Sequence, residues 1–217
     1  FINAIAEVCE VVDADVVALA DAIGHDARIG RRFLNAGLGF GGGCLPKDIR
    51  AFMARAGEIG AADALAFLRE IDAINMRRRT RAVEVTHEVL GGSVLGARVA
   101  VLGVAFKPES DDVRDSPALN VAGQLQLQGA QVRVYDPKAM ANARAVFPTL
   151  GYAASVDEAT ADADVVLHLT EWSEFAELDP RALASQVRTP VVVDGRNCLD
   201  AEAWRAAGWT YRGLGRS

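Results

Sequence analysis

The 217-residue chain is short of cysteine, of aromatic residues and of positive charge, and each shortage closes a class of function. Its three cysteines, Cys9, Cys44 and Cys198, are odd in number, far apart and without a C-x-x-C pair. Neither a disulfide framework nor a zinc site is expected from that spacing, and no metal ligand set is assigned. Aspartate and glutamate (29) outnumber lysine and arginine (23), a net charge of -6, so the broad basic footprint of a nucleic-acid binder is missing. No apolar run approaches the roughly 20 residues a membrane helix needs. The first residues, FINAIAEVCE, lack the basic start and cleavage site of a secretory leader. A soluble, cytoplasmic protein with no membrane and no nucleic-acid partner is therefore expected. With 51% hydrophobic residues, the chain can bury one or two ordinary cores.

What is present divides into two characters. Residues 1–92 read as helices with a period near 3.6, in AIAEVCEVV, DVVALADAIG, PKDIRAFMARAG and a long run from Ala61 to Leu90. That last run is expected to be about 45 Å long and to cross a whole domain. Ile2, Ile5, Ala6 and Cys9 share a helical stripe with no capping residue before it, which reads as a cut end. GGSVLG, residues 91–96, breaks the pattern, and from 93 to 217 short apolar runs alternate with helix-length segments. RVAVLGVAF, QVRVYDP, ADVVLHLT and PVVVDGRN lack polar alternation, as strands of a parallel sheet covered on both faces do. The fold class is thus α/β: an all-helical region with a long helix, then a Rossmann-like doubly wound parallel sheet, whose ligands sit beyond the carboxyl ends of the strands. Asp136 closes the second strand where a ribose-binding acid would stand. Gly103, however, is followed by VAFKPESDD with no G-x-G-x-x-G, so this half is not expected to bind NAD by the usual fingerprint.

In RIGRRFLNAGLGFGGGCLPKD, five glycines fall between residues 37 and 43, where the backbone must go where side chains cannot. Phe33, Leu34 and Phe40 lie among them, unlike a plain flexible linker. Close approach to a ligand is the functional reading. Pro46 and Asp48 suit the first turn of a helix beginning near Leu45 or Pro46, which places Cys44 at a helix N-terminus. Unpaired amides and the helix dipole favour a thiolate there, and Lys47 adds to this. Asp48, four residues on, can lie over the same face. A nucleophile and a water-orienting carboxylate on one helical turn make Cys44 and Asp48 the candidate catalytic pair. Cys9, on an apolar stripe, and Cys198, after a strand, read as buried structural thiols.

RIGRRFLNAGLGFGGGCLPKD, LGVAFKPESDDVRDSPAL, HLTEWSEF and DGRN occur in this order, and with them the chain resembles the UDP-glucose/GDP-mannose dehydrogenase family over almost its whole length. Members oxidise a sugar C6 alcohol to a carboxylate with two NAD, and the resemblance leans towards those acting on UDP-glucose. GDP-mannose and UDP-N-acetyl-hexosamine enzymes are the alternatives within the class; a non-catalytic nucleotide-sugar-binding or dimerisation module is the alternative outside it. The resemblance implies that the chain holds a central helical region and a UDP-binding domain, while NAD is bound mainly by an N-terminal domain absent here. It makes Cys44 the carrier of a thiohemiacetal and thioester and Asp48 the positioner of hydrolytic water. Phe33 and the stretch Asn35 to Gly41, with Gly39, Phe40 and Gly41, would line the UDP-sugar. Phe106, Lys107 and Arg196 would contact its UDP part. Arg28 would reach the substrate of a neighbouring subunit in a homodimer built on helix 61–90, and Lys47 and Arg114 would face the cofactor. Gly43 stands where serine is common, and Ala4 where glutamate is.

Three further features receive structural readings. The run MRRRTR, residues 76–81, spreads around a helix and reads as solvated surface. His87 and His168 have no second ligand at metal spacing and read as core or surface histidines. Trp172 reads as packing near a strand end.

Overall fold

The computed structural model describes residues 1–216. Helices α1 (Ile2–Val12), α2 (Val16–Gly24), α3 (Leu45–Glu58) and α4 (Ala66–Val89) form the first half. The second half runs β1 (Arg98–Leu102), α5 (Pro117–Leu127), β2 (Gln131–Tyr135), α6 (Met140–Val146), β3 (Gly151–Tyr152), α7 (Val156–Thr160) and β4 (Val165–His168). It continues through α8 (Ser173–Ala176), α9 (Pro180–Ala184), β5 (Val191–Asp194), α10 (Ala201–Ala206) and β6 (Thr210–Gly213). Side-chain caps set many of these starts. Asp15 accepts from the amide of Val17 at 2.7 Å, and Ser116 accepts from Leu119 just before Pro117 opens α5. The long helix begins later than expected. Residues Ala62–Leu65 form a 3₁₀ turn that folds α3 back against α4, so the regular helix spans 24 residues from Ala66. The two-residue β3 and the short α7, α8 and α9 were not foreseen; none is long enough to show a period.

All six strands are parallel, in the order β3-β2-β1-β4-β5-β6, with Val99 opposite both Val132 and Val165. Strands β4 and β5 are buried at every position, as the unbroken VVLH and VVVD runs require. This is the strand order of dinucleotide-binding folds, yet the turn after β1 is already filled. One carboxylate oxygen of Asp136 accepts from the amides of Val104 (2.8 Å) and Ala105 (2.9 Å), and from the Trp172 indole at 3.2 Å. The other accepts from the amides of Lys138 and Ala139. The amides such a fold turns towards a pyrophosphate are engaged by the protein's own anion, and Asp136 is a structural acid. Trp172 is buried beside it.

The arginine run departs from its expected role. Arg78 and Arg79 are 0% and 2% exposed, because α4 passes beneath the glycine loop and these two positions face it. Arg78 pairs with Glu10 of α1 at 3.0 Å, and Arg81 pairs with Glu10 and Glu88. Only part of MRRRTR is solvated.

Candidate active site

The glycine run fits between α4 and the carboxyl ends of the strands. Leu38 donates its amide to the Gly195 carbonyl at 3.0 Å, and a Cβ at Gly37 would stand 2.5 Å from that same oxygen. Gly39 has φ +85°, and a Cβ there would strike the Asn75 carboxamide. The glycines therefore admit the protein's own backbone and side chains, and the cleft opens beside them. Across it, Asn197 donates to the carbonyls of Ala36 and Leu214, and Asn3 accepts from the Gly37 amide.

This packing leaves a cleft of about 1000 Å³ between the halves. Cys44 is the N-cap residue of α3, exposed, and lines the cleft; Pro46 and Asp48 occupy the first turn as the sequence requires. Phe33, Asn35, Gly39, Phe40 and Gly41 line the same wall. Phe106 and Lys107 follow β1 on the opposite side, the ammonium 5.4 Å from the centroid of the Phe106 ring. Arg114 reaches the cleft held by Asp112, with contacts at 3.0 and 2.7 Å, and these hydrogen bonds lower the Asp112 pKa. The Gly42 amide donates to the Arg114 carbonyl at 3.0 Å, which joins this turn to the glycine loop.

Arg196, just after β5, has the most constrained cation in the cleft. Its Nε donates to the Leu169 carbonyl at 2.8 Å, one terminal nitrogen donates to the Gly39 carbonyl at 3.2 Å, and Glu171 lies 3.1 Å away. The other terminal nitrogen is buried without a partner. A buried guanidinium donor left unmatched at a cleft wall calls for an acceptor, and an anionic ligand supplies one.

Three assigned residues lie outside the cleft wall. Lys47 and Asp48 are exposed on the outer side of the first turn of α3 and pair with each other, which raises the Lys47 pKa. The Arg28 side chain is 89% exposed and pairs only with Asp26 at 2.6 Å. Conversely, the wall includes residues that sequence reasoning passed over, Asn3, Ile71, Ile74 and Asn75 on helices, and Cys198 after β5, which it read as a buried structural thiol. For Asn75 a signal existed, since asparagine is a weak helix former placed at mid-helix. Cys198 is exposed rather than buried.

His168 gains partners that spacing could not reveal. Its Nδ1 lies 3.0 Å from Asp194 and 3.9 Å from the Cys198 sulfur, because β4, β5 and the following turn end side by side. Among the described residues these three side chains bring donor atoms within 4.8 Å. Asp194, however, already receives the Arg196 and Leu199 amides and the Tyr211 hydroxyl as well as His168, so its oxygens are fully used. Burial alone would raise its carboxyl pKa, but the His168 hydrogen bond and charge and the two amides outweigh this and hold it below the ordinary value.

Fold and cleft together define a class: a doubly wound α/β protein with a ligand cleft beyond its strand ends, closed on the far side by a helical arm that carries an exposed thiol. The chain belongs to the UDP-glucose/GDP-mannose dehydrogenase family, whose central domain matches residues 1–77 and whose UDP binding domain matches residues 100–201. It is 42% identical over 217 residues to a UDP-glucose 6-dehydrogenase of Bacillus subtilis, covering 100% of this chain and 46% of that protein. A UDP-glucose 6-dehydrogenase of Rhizobium meliloti is also 42% identical, over 216 residues and 49% of its length. Among solved structures, a UDP-glucose dehydrogenase from the archaeon Pyrobaculum islandicum superposes with a TM-score of 0.86 at 35% identity, covering 100% of this chain and 48% of that one. A UDP-D-ManNAc dehydrogenase from Pyrococcus horikoshii gives 0.82 at 26%, covering 99% and 47%. The chain spans about half the length of the relatives it matches. No helix among the described residues is long and apolar enough to cross a membrane.

Proposed function

We propose that this chain is the substrate-binding, thiol-bearing half of an NAD-dependent UDP-glucose 6-dehydrogenase, with residues 1–92 and 93–217 as its two units. The observation that carries the reading is the shared cleft. Cys44 at a helix start lines the same cleft as Lys107 and Arg196, whose second terminal nitrogen has no partner, so a diphosphate held by the cations would bring its sugar to the thiol. Phe33, Asn35, Gly39, Phe40 and Gly41 would line the nucleotide sugar, and Phe106 would pack against the nucleoside.

The cofactor finds no seat in the sheet, where Asp136 occupies the amides after β1. Within this chain Arg114, on the cleft wall, would touch it, Lys47 would reach it only by leaving its pairing with Asp48, and the rest of its site would belong to the longer protein. Two NAD molecules, bound in succession, would each supply an acceptor for one of the two hydrides that leave C6. Between those transfers the Cys44 sulfur adds to the aldehyde carbon while the carbonyl oxygen takes a proton, which gives a thiohemiacetal. Loss of the second hydride leaves a thioester at Cys44. Water attacks its carbonyl, the C–S bond breaks, and the thiol and the C6 carboxylate are released; Asp48 would orient this water by turning inward from its pairing with Lys47 outside the cleft wall. The balance is one alcohol and one water to one carboxylate, with two hydrides transferred and three protons freed.

Arg28, exposed and outside the cleft wall, would serve a neighbouring subunit's substrate in a cytoplasmic homodimer built on helix 61–90, and exposed Phe67 and Met76 on α4 suit that role. Titration calorimetry with UDP and UDP-glucose in the absence of NAD tests the proposal: both should bind, and failure of both would sink it. A panel including GDP-mannose and a UDP-N-acetyl-hexosamine distinguishes the neighbouring specificities. Equal, slow alkylation of all three thiols would favour a non-catalytic binding module, whereas selective labelling of Cys44 favours the enzyme.

A further inference from the structure

The backbone of Phe40 is held by a side chain that has no part in the reaction above. Asn75, 2% exposed at the middle of α4, accepts from the Phe40 amide through Oδ1 at 2.7 Å and donates through Nδ2 to the Phe40 carbonyl at 2.9 Å. This two-point pairing imitates a strand partner and fixes both peptide groups of one loop residue. The same carbonyl receives a second donor from Arg79 at 3.3 Å, and Arg79 also grips Asp115 at 2.7 Å, next to Arg114. Arg78 donates to the Gly37 carbonyl at 3.3 Å. Three residues within five positions of one helix thus hold the loop that leads into Cys44 and the turn that carries Arg114.

We propose that Asn75, supported by Arg79, is a positioning residue: it couples α4 to the glycine loop and so sets where Phe40 and Cys44 stand relative to the nucleotide-sugar cleft. Asn75 lies along the cleft wall, but both ends of its carboxamide are spent on Phe40, so it acts through the loop rather than on the ligand. Gly39 fits this role, because any side chain there would strike the Asn75 carboxamide and break the pairing. The inference rests on the reading that this loop lines a UDP-sugar, and its test separates the two.

In the full-length protein, Asn75→Ala removes both hydrogen bonds, while Asn75→Asp keeps the acceptor for the Phe40 amide and sets a carboxylate against its carbonyl. Arg77→Ala is the control on the same helix, since Arg77 pairs only with Glu7 at the surface. Hydrogen exchange over residues 35–43 should quicken about tenfold in Asn75→Ala, and UDP affinity should fall by a similar factor, the loss of two buried hydrogen bonds. Asn75→Asp should fall between, and Arg77→Ala should change neither reading. Folded Asn75 variants that keep wild-type exchange across the loop overturn the proposal. So does loop exchange that quickens while UDP affinity stays within about twofold of wild type. If the wild type binds no UDP, the functional reading fails by itself, and loop exchange with the rate of Cys44 alkylation by iodoacetamide still decides the clamp. Both rising in Asn75→Ala supports it, and both unchanged refutes it.

Discussion

The two halves of the molecule are stabilised in different ways. The sheet half owns a continuous core running from Val99 through Leu125, Val166 and Val193 to Leu214. The helical half has a small cluster of its own, among them Ile2, Ala6, Cys9, Val16 and Leu34, lends Leu38, Ala82, Val83 and Val85 to the core of the sheet half, and leaves Val8, Val11, Phe33, Phe52 and Phe67 exposed. It stands by leaning on its partner: Val16 donates to the Gly215 carbonyl, Leu38 to that of Gly195, and Glu88 pairs with Arg212 on β6. The half that matches the UDP binding domain carries most of the core, and the half that holds the exposed Cys44 packs against it.

The sharpest way to separate these roles is Cys44→Ala in the full-length protein. Acid formation should drop by at least about 10³-fold, the scale seen when a nucleophile is deleted. UDP affinity, read by calorimetry, should stay at its wild-type value because the cations of the sheet half are untouched. An unaffected rate of UDP-glucuronate formation would remove Cys44 from the chemistry.

Next in size is Asp194→Ala, which strikes the sheet half. It strands His168, two backbone amides and the Tyr211 hydroxyl, all buried, and should cost about 3 kcal/mol or more in denaturant unfolding. Because the folded pKa of Asp194 is depressed, its stabilisation is complete above the unfolded value of about 3.9 and fades as pH falls through the lower folded value. Wild-type stability should therefore fall more steeply below pH about 4 than that of Asp194→Asn. Parallel curves would show that the pair carries no pH-linked stability.

The seam between the halves is tested by Gly37→Ala. The new Cβ meets the Gly195 carbonyl oxygen, and with backbone on both sides nothing can rotate away. A loss of about 1–3 kcal/mol is expected, with a fall in UDP affinity because the same seam places Arg196. Stability equal to wild type would mean that the halves pack less tightly than the Leu38–Gly195 hydrogen bond indicates.

The same contrast explains what could be read from the chain alone. The sheet was legible because parallel strands buried on both faces write themselves as unbroken runs, VVLH and VVVD among them. Cys44 was legible because a glycine run, a proline and an aspartate are all local signals, and the N-cap position follows from them. Arg78 and Arg79 were misplaced because a helix face is buried by what lies across it, and the glycine loop that covers them is some forty residues away in sequence. The His168, Asp194 and Cys198 cluster was hidden for a related reason: its members meet only through the order in which strands pair. Asn75 lies between these cases: asparagine is a poor helix former at mid-helix, a local signal, but its partner Phe40 is 35 residues away and shows only in the fold.

The mildest expected effect probes whether the halves are one cooperative unit. Gly57 lies in the last turn of α3 with nothing within 4 Å of where a Cβ would be and no positive φ. Gly57→Ala should therefore stabilise by about 0.5–1 kcal/mol, since alanine loses less backbone freedom in a helix. In calorimetry this gain should raise Tm by roughly 1–4 °C for a domain of this size. If the helical half borrows its stability from the sheet half, the whole transition shifts together, because α3 cannot melt without releasing the loop that Gly195, Arg196 and Asn197 hold. If instead a separate early transition moves and the main one does not, the helical half has a stability of its own and does not lean on the sheet half.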